Sequence, residues 1–477
     1  MGREGVFPMS DSSDARGSLR AVDTMSGSDA LLWTIGADPV MRPTIVAVMV
    51  FDGKPEWAEV RERLTKLTEE VPRLRSRAVT RALGRGRPQF VIDKNFALEM
   101  HLRHIRLPEH GIRRDVFDMA QTMATSGFDA ALPLWEAVLV EESDADRAFL
   151  VMKIHHALID GVGGLAVLAR LFDPIRPASH AGVDVLAASA DPDPRPHDSA
   201  LGRLPGFTCA VRVVGDALNM VAHPVRSVGQ VIAVGASVGR LMAPAMKPMS
   251  PIMTGRSFRR HVEILDLDLT TLRRAAKAWG GTLNDLFVTS VVRGLTLYHE
   301  QHGVTMRGFR VLMPVNVRNV ADGEAGNHFV PARFVIPVHS DIADSVAEVR
   351  RSAQQWKHAP GLAMSDALAT GLSTLPAALT RGLWSSMLMG DDLCVTNIPG
   401  PPFQAFLAGV AVDGIYAVTS PSGAAFSVSL VSTAERACLT ITTDIAAVDD
   451  APKLAGCIED GFSEVCSARP AGPPRSA

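Results

Sequence analysis

Two histidines stand side by side in KIHHALIDGVGG (Lys153–Gly164), with an Asp-Gly pair beginning four residues beyond the second. Imidazole is the side chain whose ordinary pKa suits it to carrying protons near neutral pH, so His155, His156 and Asp160 are the candidate catalytic residues. The apolar run before them reads as a strand, along which side chains alternate between two faces. Leu150, Met152, Ile154 and His156 then share one face, and Val151, Lys153 and His155 the other. His156 falls on the apolar side, where desolvation disfavours imidazolium and leaves a neutral base. For His155 the expected job is a hydrogen bond that fixes the local backbone. A metal site is the weaker reading, because adjacent strand residues diverge and Gly161, Gly163 and Gly164 leave Asp160 on a turn with no helical face to share. Asp160 also suits the first position of a turn that opens a helix.

Other stretches carry polar groups at suggestive spacing. In GGTLNDLFV (Gly280–Val288), Thr282 and Asp285 are spaced as a capping box ahead of an apolar helix, with Asn284 between them. Arg73, Arg75 and Arg77 alternate in PRLRSRAVTR, which places three guanidinium groups on one face of a strand, as a solvated edge or, less favoured, a phosphate site. Pro133, Leu134 and Trp135 read as a brace for the histidine strand. The cysteines at 209, 394, 438, 457 and 466 show no CxxC spacing, which argues against a disulfide framework or a zinc knuckle.

These residues need elements to hold them. At 477 residues the chain exceeds the size of a single core, so two domains are expected. Glu56–Glu70 has helical spacing with Val60, Leu64 and Leu67 on one face, and Pro72 stops it. PLWEAVLVE and RAFLVMKIHH, separated by ESDADR, predict a hairpin leading to the histidines. The reading is α/β in two blocks: a leader over 1–24, with Met25 as an alternative start, an N-terminal domain over 25–174, a linker and crossover over 175–254, a C-terminal domain over 255–465 and a tail over 466–477. The formal net charge of -3 gives no reason to expect nucleic acid as a partner. No uncharged apolar run is long enough to span a bilayer. The segment Phe207–Met253, apolar with Arg212, Arg226, Arg240 and Lys247 against the single acid Asp216, suits either a lipid surface or a pair of packed helices.

His155, His156, Asp160 and Gly161 match the HHxxxDG signature of acyltransferases with the chloramphenicol-acetyltransferase-like fold. MSGSDALLW, PLW, GGTLNDLFV, PVNVR (Pro314–Arg318), Gly326-Asn327 and TNIPGP (Thr396–Pro401) narrow the resemblance to the bacterial wax ester synthase/diacylglycerol acyltransferase family, over about residues 25–465. Thr396 stands where that family usually carries Ser. The resemblance implies two similar domains of mixed sheets flanked by helices, with an active-site tunnel at their interface. It implies fatty acyl transfer from acyl-CoA, a substrate rather than a cofactor, to the hydroxyl of diacylglycerol or a long-chain alcohol. No metal or other cofactor is called for. His156 becomes the base, Asn284, Gly161 and Arg318 become candidates for substrate binding, and Arg318 a partner for Asp160. Asn397 and Gly400 become a tight loop entering a crossover between the domains. A cytoplasmic protein attached peripherally to the inner membrane or to lipid droplets follows. The oligomeric state is not set by any of these features. A condensation-type enzyme with a carrier-bound donor and a non-enzymatic lipid-binding relative are the rival classes.

Overall fold

The computed structural model describes residues 21–80, 87–159, 164, 167–173, 247–316, 329–357, 365–373 and 375–468. The first half carries β1 (Ala21–Thr24), α1 (Gly27–Ile35), β2 (Thr44–Phe51), α2 (Trp57–Glu70), β3 (Ser76–Val79), β4 (Gln89–Ile92), β5 (Leu102–Arg106), α3 (Arg113–Thr125), β6 (Trp135–Glu141) and β7 (Ala148–His155). The second carries β8 (Arg260–Asp268), α4 (Leu269–Ala278), α5 (Leu283–Gln301), β9 (Gly308–Asn316), β10 (Phe329–Pro337), α6 (Ile342–Lys357), α7 (Ser365–Ser373), α8 (Ala377–Leu388), β11 (Leu393–Pro399), β12 (Phe406–Leu407), β13 (Val410–Thr419), β14 (Phe426–Thr433), β15 (Arg436–Asp444) and α9 (Ala451–Ser467).

Local sequence explains the elements that hold the histidines. α2 forms where Val60, Leu64 and Leu67 recur on one helical face, and all three are buried. The hairpin pairs β6 with β7 antiparallel from Trp135 opposite Ile154 to Glu141 opposite Ala148. Every residue of β7 is buried. Its even-numbered side chains Leu150, Met152 and Ile154 join the core that includes Val60 and Leu64 of α2. Its odd-numbered Phe149 and Val151 join the one that includes Val116, Phe117 and Ala120 of α3. A strand covered on both faces reads as an unbroken apolar run, which is what RAFLVMKIHH shows.

Two six-stranded mixed sheets result, in the orders β12-β13-β2-β7-β6-β5 and β10-β9-β11-β14-β15-β8, with a small sheet β1-β4-β3 beside the first. β13, from the second half of the chain, pairs along β2 from Val412 opposite Phe51 to Thr419 opposite Ile45. The crossover expected at TNIPGP is present, but Asn397 is not in a tight loop: it pairs opposite Leu430 within β11, which ends in the second sheet, and the chain passes through Gly400 into the first. The Gly400 N–H donates to the Ser432 carbonyl at 2.8 Å. A Cβ at Gly400 would lie 2.6 Å from that oxygen, so the passage needs glycine. The two sheets adjoin where Ser427 Oγ donates to the Thr419 carbonyl at 2.8 Å.

Several expected boundaries shift. The leader gives way at Ala21, because β1 pairs with β4 and Asp23 meets Arg73. Residues 406–419 belong to the first sheet, so the C-terminal domain over 255–465 is interrupted. At the described end of the crossover, Ser250 and Met253 are buried, Met253 in the second core, while Ile252 is exposed. The rest of that segment lies outside the described residues. α9 runs past 465 to Ser467, with Cys466 packed against the same core.

Candidate active site

β7 ends at His155, and His156 opens the turn that follows. The alternation that placed His156 on the apolar face thus stops one residue short of it. His156 is half-buried, and its backbone N–H donates to the Pro43 carbonyl at 2.9 Å. His155 is 4% exposed, with Trp33 and Phe128 at ring-centroid distances of 5.8 and 5.5 Å. The Ala157 N–H donates to its Nδ1 at 3.0 Å. A backbone N–H can only donate, so Nδ1 is the acceptor and the neutral ring carries its proton on Nε2. Burial, reinforced by the neighbouring His156, Lys153 and Arg42, drives the His155 pKa down to about 3. Its one lone pair is occupied and its basicity is lost. The backbone-fixing role expected of His155 is the one its contacts describe.

Neighbours hold this ring in place. A Cβ at Gly36 would sit 2.9 Å from His155 Nε2, so glycine ends α1 where the ring needs room. Lys153, 1% exposed, bonds Ser126 Oγ at 2.9 Å, the Gly127 carbonyl at 2.7 Å and Glu136 Oε1 at 3.2 Å, which fixes the segment bearing Phe128. Trp135 braces the strand as expected: it is 1% exposed, and its Nε1 donates to the Leu74 carbonyl at 2.7 Å.

The expected row of three arginines on a strand is not formed. Pro72–Arg75 makes a 3-10 turn, because proline presets the first helical φ, and only Arg77 lies in β3. Arg73 is consequently buried. Its guanidinium meets Asp23 Oδ2 at 2.6 Å and Asp29 Oδ2 at 3.4 Å, and donates to the Leu158 carbonyl at 3.2 Å. Leu158 is two residues past His156, so Arg73 and Asp29 anchor the turn that carries it. The alternation of arginines hid this anchor; Pro72 was the signal that could have revealed it.

Among the described residues, one cavity lies on each face of β7. One, of about 770 Å3, is lined by His155, Trp33 and Arg42 from the first half and by Ser373, Leu375 and Arg381 from the second. The other, about 40 Å3, lies on the opposite face among Met152, Ile154, Ile159, Ala47, Ile398 and Val431. Ala157 packs between α1 and α7 with Leu31, Leu32, Ile35, Ala369 and Leu372, so the histidine turn sits where the halves meet. Asn284 lines neither cavity. It is half-buried at the start of α5, its Nδ2 3.7 Å from Met313 Sδ. Asp285 closes the capping box, accepting from the Thr282 N–H at 2.8 Å while Thr282 Oγ1 accepts from the Asp285 N–H at 3.2 Å. Asp160, Gly161 and Arg318 lie outside the described residues, and with them the expected Asp160–Arg318 pair. Among the described residues no cluster of three or more His, Cys, Asp or Glu could hold a metal ion. Burial raises the Cys394 and Cys438 thiols to about 12 and about 11, so neither is a ready nucleophile.

Comparison with known proteins bears on this arrangement. The family described as the wax ester synthase/diacylglycerol acyltransferase catalytic domain matches residues 25–287, and its C-terminal domain matches residues 325–465. A Mycobacterium tuberculosis H37Rv protein provisionally named a diacylglycerol O-acyltransferase is 30% identical over 466 residues, covering 94% of this chain and 92% of its own. Among solved structures, the wax ester synthase/diacylglycerol acyltransferase from Marinobacter aquaeolei VT8 superposes with a TM-score of 0.58 at 17% identity, covering 93% of this chain and 98% of that one. The first condensation domain of the calcium-dependent antibiotic synthetase superposes at 0.61 and 17% identity, covering 93% and 96%. Both share the fold.

Proposed function

The chain belongs to the wax ester synthase/diacylglycerol acyltransferase family, and from that membership we propose that it esterifies diacylglycerol with a fatty acyl group carried on coenzyme A, with His156 as general base. The acceptor hydroxyl attacks the thioester carbonyl as His156 takes its proton. The tetrahedral oxyanion collapses, the C–S bond breaks, and the imidazolium returns the proton to the departing thiolate. No covalent enzyme intermediate is needed, in keeping with the protonated Cys394 and Cys438 thiols.

The observation that carries the choice of base is the Ala157 N–H bond to His155 Nδ1. It leaves His155 a hydrogen-bond donor through Nε2 and hands the proton transfer to its neighbour. Asn284 is the candidate donor to substrate or oxyanion: its only acceptor among the described hydrogen bonds is a thioether sulfur, which binds weakly. In this proposal an ion pair between Asp160 and Arg318 clamps the loop that carries the histidines.

A long-chain alcohol in place of diacylglycerol uses the same chemistry. Purified protein incubated with labelled palmitoyl-CoA and either diacylglycerol or hexadecanol, followed by lipid separation, tests the reading. Triacylglycerol is the expected product, wax ester alone would reassign the acceptor, and no ester with either would reject acyl transfer from coenzyme A.

Peripheral attachment to the inner membrane surface or to lipid droplets belongs to the same proposal. No described helix is long and apolar enough to cross a membrane. Leu375, Leu379 and Leu383, spaced by one helical turn along α8 and the residues before it, are 36%, 50% and 39% exposed, and Arg381 is the only charge between Leu375 and Met389. An exposed apolar stripe with a cation beside it suits an interface with anionic lipid.

A further inference from the structure

Lys153 is a charged side chain in an apolar place. It stands on the odd-numbered face of β7, 1% exposed, where Phe149 and Val151 of the same face join an apolar core. Its three ammonium N–H groups are all used: on Ser126 Oγ at 2.9 Å, the Gly127 carbonyl at 2.7 Å and Oε1 of its cross-strand partner Glu136 at 3.2 Å. Burial nevertheless lowers its pKa against the opposing Glu136 carboxylate, so the pair does not fully offset the loss of hydration. An apolar side chain of similar volume in such a place is commonly as stable as a buried ion pair, or more so. Ser126 and Gly127 are themselves exposed, where water can bond them in place of the lysine. Stability therefore does not account for an ammonium here.

The ammonium instead holds a stretch of chain beside the histidines. Ser126 caps the end of α3, and residues 127–134 form no helix or strand before β6. Within that stretch Phe128 sets its ring centroid 4.2 Å from Lys153 Nζ and 5.5 Å from that of His155, which it meets edge-on. Trp33, the other ring beside His155, is placed by α1, whereas Phe128 has no such element to place it. His155 in turn accepts the Ala157 N–H and so shapes the turn that begins at His156. We propose that Lys153 is a positioning residue for proton transfer at His156: it fixes Phe128 against His155 and, through that ring, the turn that carries the base. The inference rests on the acyl-transfer reading above and adds a residue to which that reading gives no role.

Lys153→Met combined with Glu136→Gln removes both charges with little change in volume. This double variant should unfold at or above the thermal midpoint of the parent. Its kcat should fall about tenfold to a hundredfold, the scale for a reacting group misplaced by up to about 1 Å, with little change in the KM for acyl-CoA or for the acceptor. Phe128→Leu, at a half-buried position, should lower kcat to a similar extent, and adding it to the double variant should lower kcat no further, as for residues acting through one contact. A kcat close to that of the parent in either variant would overturn the positioning role and leave acyl transfer intact. Losses that multiply on combination, or a raised KM at unchanged kcat, would overturn it as well. So would a fall in thermal midpoint large enough to account for the lost turnover, which would make Lys153 a residue of the fold alone. No ester formed by the parent protein would reject the acyl-transfer reading, and this role with it.

Discussion

Each half of the molecule buries a knot of charged side chains, and the two knots are built differently. In the first half, Arg73 sits between Asp23 and Asp29, stacks over the Phe90 ring at 4.8 Å and still reaches the Leu158 carbonyl. In the second, Asp391 and Asp392 lie side by side at 0% exposure. Asp392 accepts from the Ser250 N–H at 2.9 Å and the Arg310 N–H at 2.8 Å. Neither carboxylate oxygen of Asp391 has a hydrogen-bond donor among the described residues. Arg256 and Arg310 bond the backbone carbonyls of Asp391 and Gly390 instead of its carboxylate. Burial therefore dominates, and the Asp391 pKa rises to about 7 despite the nearby positive charge of Arg333 and Arg310. A buried charge held by a partner becomes a fixed anchor, as Arg73 is for the histidine turn. A buried carboxyl without one becomes a site whose protonation follows pH.

The largest effect should come from breaking the paired knot. Arg73→Ala leaves the Asp29 carboxylate buried without its guanidinium and should cost about 3–5 kcal/mol, read by urea unfolding, with turnover falling as the Leu158 anchor is lost. A cost no larger than that of a surface pair would mean that Arg73 anchors nothing.

The unpaired knot should respond in the opposite direction. Native Asp391 keeps its proton up to about pH 7, whereas an unfolded aspartate releases it near pH 4. The native chain thus holds more protons across that interval, and this group's contribution to stability is full at low pH and lost as pH rises towards 7. Asp391→Asn, which cannot ionise, should be more stable than the parent by roughly 3–4 kcal/mol at pH 8, at about 1.4 kcal/mol for each unit by which burial raises Asp391, with the gap closing near pH 4. A variant less stable than the parent at pH 8 would show that the three surrounding arginines depend on the Asp391 charge.

A surface pair calibrates both. Arg61 and Glu99 bond each other at 54% and 64% side-chain exposure, and Arg61→Ala should change stability by less than about 1 kcal/mol. The contrast with Arg73→Ala then measures what burial adds.

Sequence spacing revealed what is local. The helix Trp57–Glu70, the β6–β7 hairpin and the Thr282–Asp285 capping box each depend on residues within one element or across one turn. Pairings across long stretches of chain were hidden, because a strand pattern does not name its partner: β13 of the second half joins β2 of the first, and β1 joins β4 ahead of the expected domain start. The arginines misled because residues two apart suit a strand, while Pro72 had already committed the backbone to a turn. At the site, alternation placed His155 correctly and failed for His156 because the strand ends between them.

The division of labour between those histidines is the central claim, and acyl transfer by His156→Ala at matched amounts of folded protein tests it most directly. Turnover should fall about 10²- to 10⁴-fold with the thermal midpoint unchanged, the loss expected for a general base. Turnover close to that of the parent, or an equal loss at unchanged stability in His155→Ala, would contradict the assignment of proton transfer to His156.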